Sequence, residues 1–313
     1  APDVVEKMGE AARSFIVMEE LVEWACGEVA RLTGTEAALV TTGTAGGILL
    51  ATAAVLTGRD RQKMRSLPTV GPKCEILVQM PHRIGFDHAI GVAGGSLVEV
   101  GGPQGATREQ LAAAIGPNTA AVGYYIQPDW DASVLTLEET VEIAHSKNVP
   151  VIADAASQIY PLQYMQGSVQ GADLVCFGAK YFGAGHSTGI VAGKKDSVNA
   201  VVAQGFIAFH HDGFKAFGRP MKLERQEIVG VVAALDRWFS INHEDRFQGY
   251  DRSMSDIQQG LRGLSNVRLE VVPNQKFFGS SLNIVVDSAS AGKTAQQVAD
   301  ELSAGSPRVW VAV

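Results

Sequence analysis

The sequence has few cysteines and no excess of basic residues. The first feature disfavours a disulfide-stabilised protein, and the second disfavours a protein that binds nucleic acid or membranes through its charge. Its 313 residues include 3 cysteines, Cys26, Cys74 and Cys176, which lie far apart and form no Cys-x-x-Cys pair. Such a set indicates reduced core residues, as is typical of a cytoplasmic protein, and no disulfide framework. The formal net charge of −7 offers nucleic acid or an anionic membrane no general attraction. We therefore expect a cytoplasmic protein that binds neither.

A continuous membrane-spanning run is also lacking. Residues 37–58 are an uncharged stretch of 22 residues, close to the roughly 20 apolar residues that a spanning helix needs. However, five threonines and four glycines lower its hydrophobicity, and the segment from Thr41 to Gly47 interrupts it. The pattern instead predicts a strand at 37–41, a glycine turn and a buried helix at 45–56.

Short apolar runs alternate with helical patterns along most of the chain. Runs of this length that end in glycine or a charged residue are typical of buried strands, and regular alternation with helices predicts a mostly parallel α/β sheet. The predicted strands are 37–41, 75–79, 97–100, 120–126, 149–153, 173–177, 189–193, 267–272, 281–287 and 308–313. The predicted helices are 17–32, 45–56, 107–115, 136–147, 196–204, 224–239 and 294–302. The length exceeds what one core usually serves, so we expect a larger and a smaller domain.

Two charged residues follow neighbouring strands of this pattern. Asp154 closes the run 149–153, and Lys180 follows the run 173–177. Taken singly, Asp154 could cap a turn and Lys180 could be a surface lysine. At adjacent strand ends, however, an acid can hold the nitrogen of a bound ring while a lysine holds its aldehyde.

A glycine turn between the first strand and its helix is a candidate phosphate site. Thr42, Gly43, Thr44 and Ala45 precede a helix, where free backbone N–H groups and the helix dipole favour an anion. Many helices begin this way without binding anything. The turn has no G-x-G-x-x-G pattern and no acid about 20 residues further on, which disfavours a dinucleotide-binding Rossmann protein.

With Asp154, Lys180 and this turn, the chain resembles pyridoxal phosphate (PLP) enzymes of fold type I, the aspartate aminotransferase superfamily, over nearly its whole length. The resemblance is closest to the branch of L-seryl-tRNA selenium transferase and D-glucosaminate-6-phosphate ammonia-lyase. It implies an N-terminal helical segment at 1–36, a large domain with a mostly parallel seven-stranded sheet at 37–239, and a small α+β domain at 240–313. Because such small domains normally continue through another strand and a final helix, we expect the sequence to be C-terminally incomplete.

The resemblance also assigns roles to individual residues. His82 is expected to stack on the cofactor ring, with a surface-loop histidine as the alternative; Gln127 is expected to touch its phenolic oxygen, and Ala156 to lie beneath it. The residues expected to bind PLP are Thr42, Gly43, Thr44, Ala45, His82, Gln127, Asp154, Ala156, Ser157, Lys180 and Thr188. The family often has a serine shortly before the lysine, but residues 177–179 carry no hydroxyl. The phosphate therefore depends on Thr42 and Thr44, or on Ser187 and Thr188 of a second subunit.

A basic segment further along is the candidate substrate site. Arg219 and Lys222 lie in a stretch, 217–222, that resembles a segment approaching the active site in the ammonia-lyase branch, and a guanidinium grips a carboxylate with two parallel bonds. A solvated basic loop is the alternative. Nearby His210 and His211 suggest a metal, but adjacent side chains diverge and no third ligand is suitably spaced, so we expect no metal site.

These expectations define a PLP-dependent lyase. Lys180 and Asp154, with His82, are the expected catalytic residues: Lys180 as the base at Cα, and Asp154 as the group that keeps the ring nitrogen protonated. The expected reaction removes water and ammonia from a 2-amino-3-hydroxy acid or amino sugar acid and gives a 2-keto acid. Selenium transfer, racemisation, aldol cleavage and a catalytically silent scaffold are the alternatives, although selenium transfer would need a tRNA-binding extension and a basic surface. A homodimer or larger homo-oligomer is expected.

Overall fold

The computed structural model describes residues 1–127, 133–166, 171–208, 213–214, 216–273 and 279–313. These residues form two compact units, Ala1–Ile241 and Asn242–Val313. The strands are β1 (Ala37–Thr41), β2 (Glu75–Gln79), β3 (Ser96–Val100), β4 (Thr119–Tyr125), β5 (Val151–Asp154), β6 (Leu174–Gly178), β7 (Gly189–Gly193), β8 (Val267–Pro273) and β9 (Ser280–Val286).

The described helices cover both units. They are α1 (Pro2–Ala12), α2 (Met18–Thr33), α3 (Gly43–Thr57), α4 (Arg61–Ser66), α5 (His88–Val92), α6 (Arg108–Ala114), α7 (Leu137–Ser146), α8 (Lys195–Gln204), α9 (Arg225–Ser240), α10 (His243–Gly260), α11 (Ser288–Ala291) and α12 (Ala295–Ala304). Among the described residues, no helix is both long enough and apolar enough to cross a membrane.

The first unit is built on a seven-stranded sheet in the order β1-β7-β6-β5-β4-β2-β3. The strand β7 is antiparallel to both of its neighbours, and the other pairs are parallel. The carboxyl ends of the parallel strands therefore meet at one edge of the sheet, together with the amino end of β7. This edge is where an open α/β sheet places its site.

The sheet is buried by helices because its central strands are apolar on both faces. Every residue of β5 and β6 is buried. The helix α3 is apolar around most of its circumference and is buried among the sheet and its neighbours, whereas α2, α7 and α9 each bury one stripe of side chains. The predicted fold class, a mostly parallel α/β sheet flanked by helices, is confirmed.

The second unit pairs β8 with β9 as an antiparallel hairpin, accompanied by α10, α11 and α12. The strand predicted at 308–313 is wrong, because these residues form no regular element. An alternating sequence becomes a strand only when a neighbouring strand accepts its backbone hydrogen bonds. Here the amide of Val309 donates instead to the carbonyl of Leu302, at 3.0 Å.

Candidate active site

Asp154 is a buried carboxylate at the carboxyl end of β5. Its side chain is 8% exposed, and one oxygen accepts a 2.9 Å hydrogen bond from the backbone N–H of Ala156. Burial raises the pKa of Asp154 to about 6, and the Ala156 hydrogen bond only partly offsets this effect. Among the described residues, Asp154 forms no ion pair. The site therefore holds an acid whose charge a cationic N–H donor would stabilise.

His82 lies in the short turn after β2, also buried, with 3% of its surface exposed. Its Nδ1 accepts a long, 3.5 Å hydrogen bond from the backbone N–H of Tyr125, and its ring meets the Tyr124 ring edge-on at 4.4 Å. Burial lowers the pKa of His82 to about 4. The imidazole is thus neutral at physiological pH, and because the Tyr125 amide bonds Nδ1, the ring proton belongs on Nε2.

His82 and Asp154 line one cavity on the face of β2, β4 and β5. Its volume is about 460 Å³ including its open mouth, and Tyr125, Gly123 and Ile152 contribute to its walls. The register of the sheet explains this arrangement, because Tyr125 pairs with Asp154 across β4 and β5. A mostly apolar pocket with a few converging polar groups is the usual form of a ligand site.

The predicted phosphate turn lies at the same edge, after β1. The helix α3 begins at Gly43, and its N-cap residue Thr42 makes no side-chain capping bond, so the first amides of α3 are not capped by that side chain. Gly43 has φ +66, in the left-handed region. Gly189 of the neighbouring strand lies against this turn, since a Cβ built on Gly189 would be only 2.4 Å from the carbonyl carbon of Gly43. Thr42 and Thr44 are half-buried and Ala45 is exposed. The turn can therefore offer amide donors to an anion.

Lys180 occupies a tight turn, Ala179–Phe182, directly after β6. Its side chain is exposed, with Nζ 5.1 Å from the centre of the Tyr181 ring, and it is not part of the cavity wall. Two backbone hydrogen bonds fix the turn: Gly178 N–H donates to Ala156 O at 2.9 Å, and Ala179 N–H donates to Thr188 O at 3.0 Å. The two residues before the lysine are thus bonded to the loop after Asp154 on one side and to the residue before β7 on the other.

The remaining predicted cofactor residues also lie at this edge. Ala156 and Ser157, two and three residues after Asp154, are half-buried. Gln127 is half-buried after β4, and the hydrogen bond from Ile126 N–H to Asp154 O, at 2.8 Å, places it beside the acid.

The hydroxyl groups of Thr188 and Ser187, predicted as phosphate donors, already donate hydrogen bonds within the chain. The Thr188 hydroxyl is buried and donates to Gly185 O at 2.6 Å, while the Ser187 hydroxyl donates to Glu227 at 2.8 Å. A hydroxyl has a single proton to donate, and both protons are used within the chain. Phosphate oxygens require donors, so this geometry argues against both residues and leaves Thr42 and Thr44 as the candidate hydroxyl donors.

The candidate substrate segment reaches the phosphate turn. Gly218 N–H donates to Gln204 O at 2.8 Å. The side chain of Met221 packs against Gly46 of α3, with its terminal methyl 2.7 Å from the position that a Cβ on Gly46 would take. Within this segment Arg219 is half-buried and Lys222 is exposed. The structure therefore brings the segment that carries both cations to the first turn of α3.

Three further residues lie near the site that the sequence did not predict. Tyr125 and Asp87 line the cavity, and Met221 packs against the phosphate turn. The position of Tyr125 at the end of a predicted strand was an available signal, whereas nothing local marks Met221. His210 and His211 lie outside the described residues.

These features fit PLP. A buried acid without a cationic partner suits the ring nitrogen, an uncapped helix start suits the phosphate, and an exposed lysine at the same sheet edge suits the aldehyde. The fit rests on Asp154 above all, since a lone carboxylate would otherwise be costly to bury.

The chain matches the family model described as SelA, L-seryl-tRNA selenium transferase, over residues 20–206. It is 30% identical to a 5'-C-glycyluridine monooxygenase-decarboxylase of Streptomyces sp, over 98% of this chain and 76% of that protein. It is 28% identical to the D-glucosaminate-6-phosphate ammonia lyase of Salmonella typhimurium, over 99% of this chain and 82% of that protein. A solved structure of D-glucosaminate-6-phosphate ammonia-lyase superposes with a TM-score of 0.85 at 25% identity, covering 100% of this chain and 82% of that chain.

The family match spans more than half of the chain, and the similarity to the curated relatives extends over nearly all of it. The seven-stranded, mostly parallel sheet agrees with that match. This chain therefore belongs to the SelA family of PLP-dependent enzymes of fold type I.

Proposed function

We propose that the chain is a PLP-dependent lyase that eliminates water from a 2-amino-3-hydroxy acid or an amino sugar acid; hydrolysis of the resulting imine by water then releases ammonia and gives a 2-keto acid. The observation that carries the proposal is the buried Asp154 carboxylate, without a cationic partner in the described chain, at the sheet edge that also holds Lys180 and the start of α3. The similarity to an ammonia lyase over 99% of the chain supports the reaction class.

Lys180, Asp154 and His82 each have one role in this proposal. PLP, when bound, delocalises the electron pair left at the substrate Cα. Lys180 would hold the cofactor by its aldehyde, and its amine would be the base that takes the proton from the substrate Cα. Asp154 would accept a hydrogen bond from the ring nitrogen and keep it protonated. His82 offers a flat neutral ring and an Nε2–H donor.

Binding of the substrate is assigned to the segment beside the phosphate turn. The guanidinium of Arg219 can hold a carboxylate with two parallel hydrogen bonds, and Lys222 can reach a second anionic group. The contact between Met221 and Gly46 supports this assignment, because it keeps the segment next to the cofactor end of α3.

We also propose that the active form is a homodimer or larger homo-oligomer. Three large apolar side chains flank His82 and Lys180 while remaining exposed: Met80 at 38%, Phe86 at 70% and Tyr181 at 39%. A second copy would cover this apolar rim and narrow the mouth of the site. Light scattering at micromolar concentration should therefore give at least twice the chain mass, and a monomer would count against the assembly.

The second candidate function is an oxidative decarboxylation, favoured by the 30% identity to a monooxygenase-decarboxylase over 98% of the chain. Selenium transfer has the family model in its favour but the acidic balance of the chain against it. Ammonia and keto acid release distinguish the lyase, whereas oxygen uptake with release of carbon dioxide distinguishes the decarboxylase.

The first experiment is the absorbance spectrum of the protein purified with PLP, before and after borohydride. We expect a visible band that borohydride removes in the wild type and in Lys73→Ala, a control at an exposed lysine, and that Lys180→Ala lacks. Candidate amino acids and amino sugar acids would then be screened for ammonia and keto acid. A protein that stays colourless with added PLP would contradict the proposal.

A further inference from the structure

A second cleft lies at the far end of α3. The helix runs from Gly43 to Thr57, so its end is about 22 Å from the phosphate turn at 1.5 Å per residue. Beyond it, Arg59 and Arg61 line a cleft of about 950 Å³, including its mouth, with Asn199 of α8 and the buried Phe214. We call this feature the arginine cleft.

The arginine cleft concentrates positive charge in an acidic protein. The chain has a net charge of −7, yet the segment 59–73 contains five cations, Arg59, Arg61, Lys63, Arg65 and Lys73, and one acid, Asp60. One oxygen of the Asp60 carboxylate accepts hydrogen bonds from the amides of Gln62 and Lys63 at the start of α4. Neither Arg59 nor Arg65 forms an ion pair within the described part of the chain. The unpaired charges of Arg59 and Arg65 therefore favour an anion near the cleft.

Phe214 organises the cluster. The guanidinium carbons of Arg61 and Arg65 lie 5.3 and 5.4 Å from the centre of its ring, within the range of a cation–π contact. A guanidinium that rests on an aromatic ring keeps its N–H groups directed outward around its edge, where they match the oxygens of a phosphate. The ring itself is buried with Met64 and Ala216, so the platform is fixed before any ligand arrives.

We propose that the arginine cleft binds a small molecule that carries a phosphate or diphosphate group on an apolar body. Arg59 and Arg61 supply the charge, Asn199 supplies amide hydrogen bonds, and Val202, Ala203 and Ala208 supply an apolar wall. This site is distinct from the one proposed for the cofactor phosphate, because the phosphate turn lies at the opposite end of α3.

The test uses the PLP-loaded protein and inorganic pyrophosphate as the probe, measured by isothermal titration calorimetry. We expect saturable binding that weakens about tenfold or more in Arg59→Gln and in Arg61→Gln, and that weakens as salt concentration rises. Arg13→Gln, at an exposed arginine after α1, is the matched control and should bind like the wild type. The visible cofactor band of each variant reports whether the fold and the PLP site are intact.

Two results would overturn the proposal. One is the absence of saturable heat up to millimolar pyrophosphate in protein that retains its cofactor band. The other is unchanged binding in Arg59→Gln and Arg61→Gln with loss of binding in Thr44→Val, which would place the anion at the cofactor turn. A colourless protein with pyrophosphate binding lost in Arg59→Gln would instead contradict the proposed function and leave the arginine cleft supported.

Discussion

Asp154 and Asp173 are two buried aspartates on the same pair of strands, but the protein surrounds them differently. Asp154 ends β5 at the site edge of the sheet, and Asp173 precedes β6 at the opposite edge. The carboxylate of Asp173 accepts hydrogen bonds from Lys194 Nζ at 2.8 Å and from Val151 N–H at 2.7 Å, and the ring of His145 lies 2.8 Å away. Asp154 has the single amide of Ala156.

The two environments shift the two pKa values in opposite directions. Burial acts to raise the pKa of Asp173, but the hydrogen bonds from Lys194, His145 and Val151 outweigh it and hold the pKa below its ordinary value. At Asp154 burial prevails and raises the pKa to about 6. The difference teaches that this sheet can satisfy a buried acid fully, so an acid left without a cation indicates a ligand position.

The largest expected effect concerns turnover. In the PLP-loaded enzyme, Asp154→Asn removes the charge that holds the ring nitrogen protonated, and kcat should fall by about 10²–10³-fold, as for other lost electrostatic contacts to the reacting group. Asp173→Asn should leave kcat per folded molecule unchanged, because its partners are far from the site edge. Steady-state kinetics on the two variants checks both statements; equal losses would abolish the contrast.

The second effect is a gain in stability of the protein without PLP. Because the folded pKa of Asp154 is raised from 3.8 to about 6, its contribution is fully favourable below about pH 3.8 and is lost as pH rises through 6. Above that pH the ionised carboxylate costs about 3 kcal/mol, at 1.36 kcal/mol per pKa unit. Asp154→Asn should therefore stabilise the apoprotein at pH 8, by urea unfolding, and have little effect at pH 4. Destabilisation at pH 8 would mean that Asp154 has a protein partner.

The smallest expected effect is a loss of stability on changing Asp173, which is opposite in sign and in pH dependence to the effect of Asp154→Asn. Asp173→Asn should destabilise the protein by about 2 kcal/mol at pH 7, because hydrogen bonds to a charged group are lost around Lys194 and Val151. The pKa of Asp173 is lower in the folded protein than in the unfolded chain. This stability is therefore fully present above the unfolded pKa and is lost as pH falls through the lower, folded pKa. Unfolding curves at pH 7 and pH 3 measure the difference; a loss that does not diminish at pH 3 would contradict the assignment.

Much of the site edge could be predicted from the sequence, because short apolar runs place their closing residues at known positions. Asp154 and Lys180 were found in this way, and the strands of the large sheet lie within a few residues of the predicted ranges. The reversal of β7 also had a signal. Ten residues separate Gly178 from Gly189, and a parallel crossover needs a dozen or more.

Other features depend on contacts that no local pattern contains. The burial that shifts the pKa of His82, the closeness of Met221 to Gly46 and the hydroxyl bond of Thr188 all join segments through the tertiary fold. The helix α10 is a different case, because Phe247, Tyr250, Met254 and Ile257 follow a helical spacing that the sequence analysis overlooked. The alternation at 308–313 misled because a strand needs a partner.

The reversed strand β7 has a consequence for how such an enzyme can change. The connection that carries Lys180 returns at once as an antiparallel strand and contains only a tight turn, whereas the connections after β1, β3 and β4 each contain a helix. Insertions in those connections could reshape the entrance of the pocket during evolution without altering the spacing between acid and lysine. Within one sheet, the connections that can vary with the substrate are therefore different from the segment that holds the acid and the lysine.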